Sequence, residues 1–437
     1  MVFVPIYILI LGFTIVVDYF AGIYIEKSQG RKRKLFLTAS LIANIGVLAI
    51  FKYYNFINNN ITVLLHGIGW QNPIPYLSIL LPVGLSFHTF QAMSYTIEVY
   101  RGNQVAEKKF GIYSLYVMFF PQLVAGPIER PQRLLPQFYE KHEFDYQCVS
   151  EGLKQMLWGF LKKLVIADRL ALYVNTVYSN PEPHTGPTLL IATVFFAIQI
   201  YCDFSAYSDI AIGCARVMGF KLMTNFNRPY FSMSISEFWK RWHISLSTWF
   251  RDYLYISLGG NRVSIPRWYF NLFFVFLVSG LWHGANWTYM IWGALNGVYL
   301  VGGLISAPLI KKINRITRID KFRGLHIFFQ VIITFILVCF AWIFFRANTV
   351  SDAFLIIKKI ARFKGPVFYE DLSTLGYSFL GIIFLLIVEF KQEYFGKRFL
   401  VLNHPHFAIR NLAYAVMVLL IILFGVFDGG QFIYFQF

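Results

Sequence analysis

Residues 268–310 read WYFNLFFVFLVSGLWHGANWTYMIWGALNGVYLVGGLISAPLI, forty-three positions without an Asp, Glu, Lys or Arg. About 18–20 apolar residues cross a bilayer, so this stretch is long enough for two spans, or for one span and a re-entrant piece. His283 stands in its middle, at membrane depth. An ionisable group in hydrocarbon is costly, which makes such a residue face a protein interior or a wet cavity and marks it as a functional candidate. A core histidine hydrogen-bonded to a neighbour such as Asn286 is the plainer alternative.

Composition agrees with a membrane protein. Over 437 residues, 57% are hydrophobic and only 14% charged, and the mean hydropathy is +0.55; soluble domains carry about 25% charged residues. Aromatics reach 19%, more than a lipid-facing helix needs and suited to interfacial belts and the walls of an apolar tunnel. The excess of 39 Lys and Arg over 22 Asp and Glu, a net charge of +17, falls in short connections between apolar runs, so it reads as topology and not as a nucleic-acid footprint. Cys148, Cys202, Cys214 and Cys339 form no CxxC pair and read as small core residues, with no metal site among them. The N-terminal apolar stretch lacks a basic n-region, so no cleavable signal peptide is expected.

The expected fold is therefore all-α and polytopic, with roughly ten to twelve transmembrane or re-entrant helices. Spans are expected near 4–25, 35–57, 75–98, 110–125, 152–178, 187–218, a pair over 267–304, 325–346, 374–390 and 410–427. Two of these are broken. The segment 75–100 carries Pro82, Gly84 and His88; the segment around 113–130 is interrupted by Pro121, Gly126 and Pro127 and ends in a turn with the charge pair Glu129-Arg130. Irregular backbone at membrane depth is tolerated where protein or a wet cavity surrounds it, which points to a site inside the bundle. Lys27, Arg31, Lys32, Arg33 and Lys34 follow the first span, placing that loop in the cytoplasm and the N-terminus outside, with 59–74 external. Arg101, Lys108, Lys109 and the cluster Lys311, Lys312, Arg315, Arg318, Lys321 and Arg323 are internal again. Lys358, Lys359 and Arg362, which strict alternation would put outside, sit against Phe354, Ile357 and Ile360 as an interfacial amphipathic helix would have them. No repeat and no low-complexity linker is visible, so residues 1–437 read as one membrane domain without a soluble catalytic appendage.

Polar residues concentrate in 228–262, RPYFSMSISEFWKRWHISLSTWFRDYLYISLGGNR. Ser234 followed by Glu237 is a capping box that starts a helix. On one continuous helix Phe238, Trp242, Leu246, Trp249 and Tyr253 form an apolar stripe, with Ser236, Lys240, His243, Ser247 and Arg251 opposite, and Gly259-Gly260 ending it. His243 is then on the polar face, where an interfacial helix touching lipid headgroups is the competing reading. A third patch, QIYCDFSAYSD at 199–209, carries Asp203, Ser205, Ser208 and Asp209; it reads equally as a hydrophilic mouth or as hydrogen bonding between helices.

Several blocks together carry a resemblance. LPVGLSFHTFQAMSYTIEVYRG (81–102), FFPQLVAGPIERP (119–131), IQIYCDFSAYSDIAIG (198–213), NFNRPYFS (225–232), FWKRWHISLSTWFRDYLYISLGGNR (238–262) and SGLWHGANWT (279–288) occur in the order and spacing of the membrane-bound O-acyltransferases (MBOATs) of the bacterial alginate O-acetylation type. The likeness runs from about 78 to 300, and AWIFFRANTVSDAF and the ending FIYFQF look similar as well. It implies an acyltransferase whose catalytic residue is His283 and whose second important position is His243, around a central tunnel. It further implies a cytosolic donor, acetyl-CoA, with phosphates suited to Lys240, Arg241 or Arg251. The acyl group would pass to an extracytoplasmic acetyltransferase partner that decorates a polysaccharide, with the chain in the cytoplasmic (inner) membrane.

The residues are compatible with that chemistry. Acyl transfer to a hydroxyl needs a base near neutral pH, for which imidazole is well matched. No G-x-S-x-G elbow and no Cys-His pair offers a covalent route, so direct transfer is simpler. Charge developing on the carbonyl oxygen needs donors, and Trp282, Trp287, Asn286 and His243 are the candidates, with Asp203 lining the polar approach. Two competitors remain: a D-alanyl transferase of the teichoic-acid type, fed by an aminoacyl carrier protein, and a polytopic transporter using Asp203 and Asp209.

Overall fold

The computed structural model describes residues 7–78, 84–369, 371–396, 402–427 and 432; Pro82 and the terminal Ile433, Tyr434 and Phe435 lie outside the described residues. The elements are helical throughout those residues. In chain order they are α1 (Tyr7–Lys27), α2 (Gly30–Leu48), α3 (Tyr54–Gly67), α4 (Leu85–Arg101), α5 (Phe110–Met118), α6 (Pro131–Leu134), α7 (Tyr146–Phe160), α8 (Asp168–Ser179) and α9 (Gly186–Val217). There follow α10 (Ile235–Arg241), α11 (Ile244–Phe250), α12 (Ile265–His283), α13 (Trp287–Thr317), α14 (Arg323–Arg346), α15 (Val350–Arg362), α16 (Leu372–Phe395) and α17 (Phe407–Phe424). Among the described residues 8 helices are long and apolar enough to cross a membrane, so the chain is a multi-pass membrane protein. The segments expected at 75–98, 110–125 and 152–178 are not among these: the first two give only the 17-residue α4 and the 9-residue α5, and the third is interrupted by a π-helical turn.

Two compact units divide the chain: Met1–Gly152 with Cys214–Met223, and Leu153–Gly213 with Thr224–Phe437. In the first, α1, α2 and α4 pack as a bundle around buried Asp18. Its carboxylate accepts from Ser40 Oγ at 2.6 Å and Asn44 Nδ2 at 2.8 Å, which satisfies a polar group that hydrocarbon cannot. Helices α2 and α3 join through a π-helical turn into one 38-residue rod, Gly30–Gly67. At 1.5 Å per residue it is about 57 Å long, so the loop expected to begin at residue 59 is helical to Gly67. The break expected before 130 is real. Residues 119–126 form successive turns, Gln122 N–H to Phe119 O (3.1 Å) and Gly126 N–H to Gln122 O (2.9 Å). Glu129 is buried, accepting from the Met223 amide and lying 3.7 Å from Arg133.

The second unit holds the long spans. Helices α12 and α13 are an antiparallel hairpin turned at Gly284–Asn286. Asn286 caps α13, its Oδ1 accepting from Thr288 N at 3.0 Å. Gly280 and Gly293 face each other so closely that a Cβ on either would run into the other's backbone, which is how small residues let membrane helices touch. The interfacial helix expected near 354–362 is α15, capped by Thr349, with Ala353 and Ile356 buried and Phe354, Lys358 and Arg362 exposed.

Candidate functional site

The capping box forms as expected: Ser234 Oγ accepts from Glu237 N at 3.2 Å, while Glu237 returns a carboxylate to Met233 N at 2.9 Å. The continuous helix after it does not. Helix α10 stops at Arg241, Trp242 turns extended (φ −99°, ψ 128°), His243 takes a left-handed conformation (φ 43°, ψ 54°), and α11 restarts at Ile244. The polar stripe drawn through Lys240, His243 and Arg251 is therefore broken. Lys240 and Arg251 are exposed, whereas His243 is completely buried. The headgroup-binding alternative for His243 falls with that burial. Positive φ in a non-glycine residue is strained and clusters at functional sites. Gly259 and Gly260 end the segment at positive φ (98° and 58°), as the sequence indicated.

Asn225 organises the kink. Its main-chain oxygen accepts from Ile244 N at 2.9 Å, and its side-chain Oδ1 meets Ser245 N (3.2 Å), Ser245 Oγ (2.9 Å) and His243 Nδ1 (3.2 Å). Its Nδ2 donates to Ser208 Oγ on α9 at 3.0 Å. Around the imidazole stand Phe204, edge-on at 4.6 Å, Phe226 at 6.2 Å and Trp282 at 6.5 Å between ring centroids. Burial among these rings pushes the His243 pKa down to about 3, because the apolar surroundings disfavour the charged imidazolium.

His283 is the last residue of α12 and 5% exposed. Trp282 (4.9 Å), Trp292 (4.9 Å, 87°) and Phe345 (5.4 Å, 72°) box its ring, with Trp292 in turn stacked on Trp342 at 5.8 Å. Trp282 therefore touches both histidines, which lie forty residues apart in sequence. Asn286 accepts from Thr288 N and donates to Asn348 O at 3.2 Å, so it shapes the turn after His283.

A cavity of about 1640 Å³ opens beside this pair within the same unit. One face each of α12 (Trp268, Leu272, Val275, Ser279), α13 and α14 lines it, α10–α11 contribute Trp239, Lys240 and Ser247, and the π-helical turn after α11 contributes Arg251. Its inner wall reaches the histidines indirectly. Ser279 is one helical turn before His283; Trp239 packs edge-on against Trp292 at 5.7 Å, and Trp292 against His283. At the other end, Asn314 and His326 line the cavity beside the exposed Lys311, Lys312, Arg315, Arg318, Lys321 and Arg323.

Two other candidates are held elsewhere. Arg241 is clamped by Glu237 (2.6 Å) and Glu393 (2.9 Å), and Arg228 binds the same Glu393 at 2.7 Å. A phosphate would have to displace two carboxylates there, whereas the exposed Arg251 is paired with Asp252 at 2.8 Å and Lys240 is exposed. Asp203 binds Lys163 at 2.7 Å, which also binds Asp168 at 2.8 Å, while Lys162 binds Asp209 at 2.8 Å. The π-helical turn Leu161–Ala167 lets both consecutive lysines face α9. Of the two readings for 199–209, hydrogen bonding between helices describes Asp203 and Asp209, whereas Phe204 and Ser208 of that segment touch the His243–Asn225 pair. Trp287, expected as a donor, is 54% exposed on the outside of α13. Sequence reading passed over Asn225, Trp239, Trp292 and Phe345. Asn225 opens the quoted block NFNRPYFS, and that was the signal available for it. Among the described residues no group of His, Cys, Asp and Glu could hold a metal.

Comparison with known proteins gives a consistent picture. Residues 109–350 match the MBOAT, membrane-bound O-acyltransferase, family. The chain is 39% identical over 399 residues to the probable alginate O-acetylase AlgI of Pseudomonas aeruginosa, covering 90% of this chain and 73% of that protein. It is 34% identical over 386 residues to a peptidoglycan O-acetyltransferase of Helicobacter pylori (82% and 71% covered). A teichoic acid D-alanyltransferase of Bacillus subtilis is more distant, at 27% over 289 residues (61% and 69% covered).

Proposed function

This chain belongs to the membrane-bound O-acyltransferase family and is an acyltransferase, and we propose that it moves an acetyl group from cytosolic acetyl-CoA through the membrane for O-acetylation of an extracytoplasmic polysaccharide. The likeness to proteins named for alginate and peptidoglycan O-acetylation supports the acceptor class. The observation that carries the reading is the placement of His283, boxed by indoles and one helical turn from Ser279 on the wall of a 1640 Å³ cavity that Lys240 and Arg251 also line. Lys240, Arg251 and the 311–323 cluster suit the phosphates of the donor, and the apolar cavity suits its acyl arm. His283 takes the proton from the attacking hydroxyl. As the new C–O bond forms at the acetyl carbonyl, the C–S bond to coenzyme A breaks, and the sulfur leaves as the thiol by taking that proton back from His283.

The acceptor at the outer side is a residue of a partner acetyltransferase or a carrier, since a bulky polymer does not reach an imidazole enclosed among helices. The basic 27–34 loop argues for a cytoplasmic placement of that loop, an extracytoplasmic N-terminus and residence in the cytoplasmic (inner) membrane. The test is transfer of label from radioactive acetyl-CoA in membranes containing this chain and the neighbouring extracytoplasmic acetyltransferase. Labelled partner or glycan with the wild-type chain, and at least about 10²-fold less with His283→Ala at equal expression, is expected. Undiminished labelling with His283→Ala overturns the catalytic assignment, and absence of any transfer from acetyl-CoA overturns the donor.

A further inference from the structure

We propose that Asn225 is a positioning residue that locks His243 in the Nδ1–H tautomer, leaving Nε2 unprotonated, so that this nitrogen can accept a hydrogen bond and cannot donate one to the developing oxyanion. The inference rests on the acyl-transfer reading above and assigns the second histidine a chemical role.

The argument begins with which end of the Asn225 amide faces the kink. Ser245 N is a main-chain N–H and can only donate, so the atom 3.2 Å from it is the carbonyl oxygen. That contact fixes an amide orientation that is otherwise a matter of assignment. The opposite end agrees: Nδ2 faces the Ser208 hydroxyl at 3.0 Å, which accepts. With Oδ1 oriented by the backbone, the His243 nitrogen 3.2 Å away must carry the proton, since two lone pairs facing each other in a buried site repel. The second neighbour of Nδ1 is consistent. Ser245 Oγ, 3.5 Å from Nδ1, spends its own proton on Asn225 Oδ1 at 2.9 Å and offers only lone pairs to the ring.

A neutral imidazole protonated at Nδ1 carries its lone pair on Nε2. Phe204, Phe226 and Trp282 stand against the ring and disfavour the cation, and Asp203 and Asp209 on α9 are paired with Lys163 and Lys162. The His243–Asn225–Ser245 arrangement has the logic of a base oriented by a second polar group, with an amide in place of the usual carboxylate. The left-handed φ of 43° at His243 turns the ring toward Asn225, 18 residues earlier in the chain.

The test is the nitrogen spectrum of His243 in the full chain in lipid, labelled at histidine and assigned by loss of its signals in His243→Gln. A pyrrole-type Nδ1 and a pyridine-type Nε2 at pH 7 are expected; the reverse pattern, or an imidazolium, overturns the proposal. Asn225→Ala should convert the ring to the other tautomer or a mixture and lower kcat for acetyl transfer about 10²-fold with KM for acetyl-CoA little changed. Asn225→Asp keeps the acceptor. It should retain the Nδ1–H form at alkaline pH, while the new carboxylate favours the cation and moves the His243 titration upward. Wild-type tautomer and rate in Asn225→Ala overturn the positioning role. The spectrum needs no turnover, so a correct tautomer in a chain that transfers no acetyl group refutes the acyl-transfer reading alone, and active transfer with the wrong tautomer refutes only this one.

Discussion

Gly293→Ala places a methyl group at the tightest contact of the α12–α13 hairpin. The new Cβ overlaps the Phe276 carbonyl oxygen and lies 3.1 Å from Gly280 Cα and 3.2 Å from Gly280 N. Ordinary contact starts at 3.4 Å, so the two helices must part by at least 0.3 Å at Gly280 (3.4 less 3.1) and by roughly 1 Å at Phe276. Every obstructing atom is backbone, so no side chain can swing away. His283 is three residues past Gly280 on α12, and its ring leans on Trp292, the neighbour of Gly293 on α13. Separation at the glycines therefore displaces the imidazole from its indole wall. A misplacement of about 1 Å lowers rate on the order of 10²-fold, and overpacking of this kind destabilises by about 1–3 kcal/mol. The assay is initial rate of acetyl transfer in membranes, matched for expression, alongside thermal unfolding in detergent. Gly376→Ala on α16, where a Cβ meets nothing within 4 Å, is the control expected to behave as wild type. A Gly293→Ala protein with wild-type rate and unfolding temperature would refute the claim that glycine contact positions His283.

Further outcomes are expected elsewhere. Lys240→Ala combined with Arg251→Ala should raise KM for acetyl-CoA several-fold with kcat little changed, and the effect should shrink at high salt, as surface charge steering does; an altered kcat at constant KM would remove them from donor binding. Lys163→Ala leaves Asp203 and Asp168 buried without their cation and should destabilise by about 3–5 kcal/mol, read as a lower unfolding temperature. Burial pushes Glu129 up to about 7. A raised folded-state value means that its contribution to stability is full below the unfolded value of about 4.3 and is lost as pH rises through about 7, so Glu129→Gln should flatten the fall in stability across that window, and an unchanged pH profile would count against it. Cysteines at Gln29 and Gln71 should differ in labelling by an impermeant thiol reagent on intact cells, Gln71 reactive and Gln29 protected; the reverse pattern overturns the orientation.

Much of this protein is legible in its sequence because the relevant physics is local. The uncharged run 268–310 dictates two long helices in hydrocarbon whatever surrounds it, and the structure turns them at Gly284–Asn286, immediately after His283. Ser234 and Glu237 satisfy each other within one turn, so that cap forms regardless of distant contacts. Helix α5 stops at Met118, just ahead of Pro121, which lacks a backbone donor and restricts the residue before it. Tertiary structure decided what local periodicity could not. The stripe through Lys240, His243 and Arg251 presumed an unbroken helix, but Asn225 captures the backbone of Ile244 and Ser245 from 18 or more residues away and turns His243 inward. Arg241 is as basic as Arg251 in sequence, yet Glu393 on α16 claims it, and Lys163 likewise claims Asp203. In each case a buried polar group must find its partner inside the fold, since hydrocarbon supplies none, and that partner is set by which helices come together and not by the residues on either side.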